Sequence, residues 1–302
     1  MISIMVMYAF FASTLTINKA VLSYAQPVFY VAVRMLLGGV LLLCYQLLRN
    51  RDSFSLIRTH SRGFLSVAFF QIYCSYVIGT LGLQYQSSVK VGLLFALTPF
   101  ITVIFSYFWF SERLTLIKLL GLLIGFSGFI PILLTSTPQE QALGNVVGFI
   151  SWPELATLSS VIAYAYGWIV IRRLVKYEGV PPVLLNGASM FFGGFWALMS
   201  SPLIDSWDPW PVSNFLYFIG LVLLVVIIGN LVVFNLYASL LKTYTATLVA
   251  FVGFTEPIFT AVYGNIFLHE KVTWHFFASF FIIFLGLYLF YKEELKQGYI
   301  ES

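Results

Sequence analysis

Three charged side chains, Glu256, Arg34 and Lys90, stand within long apolar runs of this 302-residue chain and are its best candidates for chemistry. An acidic residue near the middle of such a run costs at least about 2.5 to 3.5 kcal/mol to place in hydrocarbon, so Glu256 needs a partner, a cavity or a proton path. Where the three face one space, that space offers cationic and anionic contacts together, and a zwitterion fits it. Arg34 lies seven residues into its run, roughly 10 Å deep, still within snorkelling reach of the headgroups; an anchor and a cavity charge both stay open for it, and likewise for Lys90 nearer the edge. Glu154 follows Pro153 at the start of another run and reads as a helix cap. Covalent chemistry is not on offer. A nucleophile needs a base within reach, and no HExxH, GxSxG or DxxD pattern falls in the apolar runs. His60, His269 and His275 stand at no metal-ligand spacing, and Cys44 and Cys74 imply neither a disulfide framework nor a metal site. No enzyme activity, cofactor or metal is expected.

A second tier of candidates is polar or aromatic. Gln71, Ser75, Gly79 and Gly82 recur at spacings of three and four, so they share one helix face, which is expected to look into the protein. Asn230 follows Gly229 in a later run. Tyr76, Tyr164, Tyr166 and Trp168 fall inside runs, where the plain reading is packing and the sharper one is a surface for a flat ring or a cation. The candidate substrate-binding set is therefore Glu256, Lys90, Arg34, Tyr76, Gln71, Tyr166 and Asn230.

The elements that must position these residues follow from composition. With 60% hydrophobic residues and only 9% charged, the chain cannot hide its apolar surface in a water-soluble core. Its solvent is lipid. Runs of roughly 20 apolar residues are long enough to cross a bilayer, and they fall at 3–22, 27–48, 63–82, 89–110, 115–134, 153–172, 182–203, 213–235, 245–268 and 273–291. Because the runs are continuous rather than alternating, each must satisfy its own backbone as a helix. The first run lacks a basic leader and a cleavage site, so it reads as a retained helix. If the N-terminus is cytoplasmic, inside loops and helix ends carry twelve Lys and Arg, among them Arg49, Arg62, Arg172, Arg173 and Lys242, against Lys19 and Lys271 outside. Both termini are then cytoplasmic, in a cell inner membrane. The net charge of +4 reports this topology and not affinity for nucleic acid.

The chain also repeats itself. At an offset of 158, Pro99 falls on Pro257, Thr102 on Thr260, Glu112 on Glu270, Thr115 on Thr273 and Gly128 on Gly286; at 155, Pro27 falls on Pro182 and Gly38-Gly39 on Gly193-Gly194. A repeat of five spans enters the membrane upside down the second time. The expected fold is an all-α polytopic membrane protein of ten transmembrane helices in two inverted five-helix repeats, 1–135 and 144–292, with a linker at 136–143 and a cytoplasmic tail at 293–302. Such halves meet near mid-depth, and proline-interrupted segments at matching positions point to the site between them. Here those are the helix breaks at Pro99 and Pro257.

Ten spans, the doubled five-helix unit, and a proline followed thirteen residues later by Glu-Arg-Leu-Thr (Glu112 to Thr115) or Glu-Lys-Val-Thr (Glu270 to Thr273) resemble the EamA family of the drug/metabolite transporter superfamily. The resemblance covers essentially the whole chain. It implies a secondary transporter with a central cavity lined chiefly by spans 1, 3, 4, 6, 8 and 9, in which Glu112 and Glu270 are structural or gating positions. Within the family, the phenylalanine-rich composition and mixed cavity charges resemble the S-adenosylmethionine transporter branch. Its substrate suits the residues: a carboxylate for Arg34 or Lys90, a sulfonium and an amine for Glu256, an adenine for the tyrosines. The function expected is uptake or exchange of S-adenosylmethionine against S-adenosylhomocysteine by alternating access. Export of amino acids or drugs is the alternative, with a nucleotide-sugar or organophosphate exchanger behind it and a membrane scaffold remote. The partners are a small-molecule substrate and the lipid bilayer; protons as a coupling ion and a homodimer stay open.

Overall fold

The computed structural model describes residues 2–110, 115–135, 138–143, 145–147, 150–244, 249 and 252–296. Its helices are α1 (Ile2–Val21), α2 (Pro27–Arg49), α3 (Ser61–Tyr85), α4 (Ser88–Trp109), α5 (Leu116–Leu133), α6 (Trp152–Tyr177), α7 (Pro182–Ile204), α8 (Phe215–Lys242), α9 (Glu256–Leu268) and α10 (Trp274–Lys296). Among the described residues, all but α9 are long and apolar enough to cross a membrane, so the protein is a polytopic membrane protein of nine or ten spans. The run expected at 245–268 loses its first turns because 245–248 and 250–251 lie outside the described residues. Strands β1 (Asn145–Val147) and β2 (Ile150–Ser151) form a short antiparallel hairpin between α5 and α6.

Local chemistry sets the helix starts. Pro27 opens α2, where its missing N–H costs nothing, and the next two amides donate to Asp205 at the end of α7, Val28 at 3.2 Å and Phe29 at 2.6 Å. Glu154 accepts from the Ser151 amide at 2.6 Å, the reciprocal bond of a capping box, and so starts α6. Within α4 the helix is interrupted at Ala96–Leu97. Pro99 lacks the N–H that the Phe95 carbonyl would take, and the Thr98 hydroxyl supplies the donor instead at 2.6 Å. At the matching place before Pro257, a 3₁₀ turn over Gly253–Thr255 leads into α9, and the Gly253 carbonyl accepts from the Glu256 amide. The middles of α3 (Val67–Cys74) and α8 (Val226–Val233) are π-helical.

Close glycine faces join the outer helices. A methyl on Gly39 of α2 would sit 2.6 Å from the Phe191 amide of α7, and one on Gly286 of α10 would sit 2.6 Å from the Gly121 carbonyl of α5, so both pairs approach backbone to backbone. The outward faces of α5 and α10, with Leu116, Leu123, Phe277 and Phe281 exposed, meet lipid. Buried polar residues lie instead on inward faces, among them Arg34 of α2, Gln71 of α3, Glu154 of α6, Asn186 of α7, Asn230 of α8 and Glu256 of α9.

Candidate functional site

Between α1, α3, α4, α6 and α9 lies a small pocket of about 50 Å³. Asn18 and Thr14 of α1, Ser75, Tyr76 and Thr80 of α3, Phe95 of α4, Tyr164 of α6 and Glu256 of α9 line it. Glu256 is 7% exposed and reaches it from the first turn of α9, just after the 3₁₀ turn. On its other side a narrower crevice is bounded by Tyr8, Thr98, Pro99, Tyr237 and Gly253, so the interrupted segments of α4 and α9 meet at this carboxylate. Among the described residues Glu256 has no ion pair.

Arg34 stands directly behind the pocket wall. It is 1% exposed, donates from Nε to Asn230 Oδ1 at 2.8 Å and from Nη1 to Asn18 Oδ1 at 3.2 Å, and lies 4.9 Å from the Tyr76 ring centroid. Asn18 also accepts from the Tyr30 hydroxyl. Amides and a ring therefore hold the guanidinium, and no carboxylate among the described residues neutralises it. The sequence left an anchor and a cavity charge open for Arg34. The structure puts it inside the bundle, one layer from the pocket through Asn18 and Tyr76.

The remaining candidates separate. Lys90 does not line the pocket: its Nζ lies 2.5 Å from Glu154 Oε1 and 2.5 Å from the Thr135 carbonyl, in a buried ion pair that joins α4 to the start of α6. Glu154, read from sequence as a cap, is both cap and counter-ion. Asn230 holds Arg34 and is itself fully buried. Gln71 is fully buried against Gly167 of α6, its amide without a hydrogen-bond partner among the described residues. Tyr166 faces a different cleft, at the end of the bundle where α3 begins and α4 and α6 finish.

Two packed layers flank the pocket. On one side, the Lys90–Glu154 pair is joined by Glu270, which accepts from Ser88 N at 2.8 Å, Ser88 Oγ at 2.7 Å and Val89 N at 3.1 Å, and by Lys19, which donates to the Leu83 carbonyl at 2.7 Å. Glu270 thus caps the N-terminus of α4; its counterpart Glu112 lies outside the described residues. On the other side is a layer of rings: Trp168 stacks on Tyr237 with centroids 3.8 Å apart, and Tyr8 and Tyr164 pack edge-on beside them. Sequence reading placed Tyr164 and Trp168 within spans but gave Tyr8 and Tyr237 no part in a seal. Among the described residues no group of His, Cys, Asp and Glu could hold a metal ion.

A family model for the EamA-like transporter family matches the chain twice, over residues 1–134 and 151–292. The chain belongs to the EamA-like transporter family. Its relatives include proteins described as S-adenosylmethionine/S-adenosylhomocysteine transporters. The one from Chlamydia trachomatis serovar D is 30% identical over 96% of this chain and 88% of that protein; the one from Chlamydia muridarum is 29% identical over 96% and 91%. An uncharacterized transporter of Bacillus subtilis, YvbV, is 26% identical over 93% and 88%. A solved structure described only as "Crystal structure of protein" superposes with a TM-score of 0.67 at 16% identity, covering 96% of this chain and 95% of that one, and so shares the fold. This EamA-like chain is a secondary transporter and not an enzyme.

Proposed function

We propose that the chain exchanges S-adenosylmethionine for S-adenosylhomocysteine across the inner membrane, by alternating access between two inverted five-helix halves with both termini cytoplasmic. One observation carries the substrate reading: among the described residues Glu256 lines the pocket as a buried carboxylate without a protein cation, and Arg34, a buried guanidinium without a protein anion, stands directly behind its wall. Each buried charge without a partner is costly in a membrane interior, and a zwitterion relieves both at once. In this reading Glu256 takes the cationic end, Arg34 takes the carboxylate once Asn18 and Tyr76 part, and Phe95, Tyr76 and Tyr164 supply faces for the adenine. Asn230 positions Arg34. Lys90 fastens the end of the pocket instead of touching substrate, and Gln71 lies in the α3–α6 seam. The pocket is far below the roughly 300 Å³ of a ligand site, so substrate enters only after one of the two seals opens. The nine or ten spans, the matched helix breaks at Pro99 and Pro257 and the Chlamydia relatives support the transport cycle and the substrate class.

An organophosphate or nucleotide sugar would ask for more positive charge. Lys90 is neutralised by Glu154, which leaves Arg34 as the cation beside the pocket among the described residues.

Counterflow in proteoliposomes tests the reading. Vesicles loaded with unlabelled S-adenosylmethionine are expected to accumulate the labelled compound, and Glu256→Gln to lose that accumulation. Accumulation only with plain amino acids or nucleotide sugars would overturn the substrate, and equal accumulation by Glu256→Gln would remove Glu256 from its path.

A further inference from the structure

Among the described residues a second cavity is larger than the central pocket. A cleft of about 550 Å³ opens where α3 begins and α4 and α6 end, lined by His60, Arg62, Trp109, Tyr166, Arg173 and Glu178 among others. That volume lies within the range of roughly 300–1,000 Å³ that holds small ligands. It shares no lining residue with the central pocket. On α6 the lining residues Tyr166, Val170, Arg173 and Leu174 recur at helical spacing, so they form one face, whereas Tyr164 and Trp168 belong to the ring layer and the pocket.

The charge balance of the cleft is positive. Glu178 accepts from Arg173 Nε at 2.9 Å and contacts His60 Nδ1 at 2.7 Å, so its carboxylate is already engaged. Arg62 is exposed and has no ion pair among the described residues. Beside these cations Trp109 and Tyr166 make a rigid aromatic corner, their centroids 5.5 Å apart at 73°. Phe70 at 4.8 Å and Phe105 at 5.7 Å pack against Tyr166 and hold its ring in place. Fixed rings at right angles offer a face to a flat heteroaromatic system, and the guanidinium groups offer paired donors to a carboxylate or phosphate.

We propose that this cleft is a second ligand site, separate from the transport pocket, that takes a nucleoside bearing an anionic group: the ring against Trp109 and Tyr166, the anion on Arg62 and Arg173. The cleft itself asks for a flat ring and an anion; the choice of a nucleoside rests on the substrate proposed for the central pocket. Occupied from the face that carries the basic loops, the site holds ligand next to the ring layer that shuts the pocket on that side.

Equilibrium dialysis on the purified full chain in detergent tests this, with labelled S-adenosylhomocysteine, AMP and adenosine, on a Glu256→Gln background that disables the central pocket. The expected result is one bound S-adenosylhomocysteine or AMP per chain, weakened at least about tenfold by Arg62→Ala, the loss of a charged hydrogen-bond pair, while adenosine binds weakly and ignores that change. Preference for S-adenosylhomocysteine identifies a carboxylate ligand, and preference for AMP a phosphate. Quenching of tryptophan fluorescence by the same ligands, compared between the parent and Trp109→Phe, reads the site without altering any charge. Dialysis showing neither ligand bound, or binding indifferent to Arg62→Ala, overturns the proposal, as does quenching that Trp109→Phe leaves unchanged. A failure of the transport reading registers separately, as silent counterflow beside intact binding in this cleft.

Discussion

Replacing Arg34 by lysine keeps its charge and removes its geometry. The guanidinium reaches Asn230 through Nε and Asn18 through Nη1 while lying over Tyr76. A single ammonium cannot span both amides and present a planar fork to a carboxylate. One charge-assisted hydrogen bond is worth about 1.5–3 kcal/mol, so KM for S-adenosylmethionine in counterflow is expected to rise about 10- to 140-fold. The comparison that isolates the contact is a substrate without the group: decarboxylated S-adenosylmethionine keeps the sulfonium, amine and adenine and has nothing for Arg34 to hold. Its KM should be high in the parent and unchanged in Arg34→Lys. Equal losses for both compounds would mean that Arg34 supports the fold alone, and an unchanged KM for the full substrate would refute the assignment of its carboxylate.

S-adenosylmethionine carries one net positive charge and S-adenosylhomocysteine none, so the proposed exchange moves one charge per cycle. In vesicles loaded with S-adenosylhomocysteine, a potassium–valinomycin potential of 100 mV, interior negative, is worth about 2.3 kcal/mol and should raise the accumulation ratio of S-adenosylmethionine up to about 40-fold; indifference to potential would point to a compensating ion. Lys90→Met leaves Glu154 buried without its counter-ion and is expected to cost about 3–5 kcal/mol, read as a lowered Tm in detergent. Lys90→Met combined with Glu154→Gln should recover most of that loss, because glutamine still closes the capping box with Ser151; a double variant no better than the single would contradict the pairing. Gln71→Leu removes a buried amide that has no hydrogen-bond partner among the described residues, so Tm should rise while transport slows, since such a group costs about 1–3 kcal/mol in this arrangement. A lowered Tm would show that Gln71 is satisfied after all.

The helices and the breaks in them were legible because they depend on one-dimensional properties. Run length against bilayer thickness gives the spans, and a proline without an N–H must interrupt a helix near its i−4 carbonyl, which is where α4 parts at Ala96–Leu97. Glu256 was legible for a similar reason, since its cost in lipid does not depend on which way it faces. The other site residues depend on helix rotation and on distant partners. Tyr164 and Tyr166 are two residues apart on α6, about 200° around the helix, so one meets the pocket and the other the separate cleft. Composition could not choose between them. Lys90 looked like an anchor or a cavity charge because its partner Glu154 is distant in sequence, and the depth of Arg34 fixed its height but not its face. Nothing in the residue types of Val67–Cys74 or Val226–Val233 marks them as π-helical.

Those two π-helical segments sit at nearly the same offset as the prolines, and Gln71 and Asn230 occupy the same place within them. At these two segments the backbone of one half is echoed in the other while the chemistry is not. Asn230 holds Arg34, but the amide of Gln71 is stranded against Gly167; Glu256 stands where the first half has Thr98. A π-turn breaks the i−4 hydrogen-bond ladder and is a natural place for a helix to flex. In the proposed alternating-access cycle, corresponding backbone weak points would let both halves bend alike. The unequal side chains set charge and hydrogen bonding on one face of the pocket against the other, which in the proposed reading gives a zwitterionic substrate one favoured orientation. If Glu256 and Thr98 were interchangeable, the pocket would still open and close, but it would no longer distinguish the two ends of its ligand.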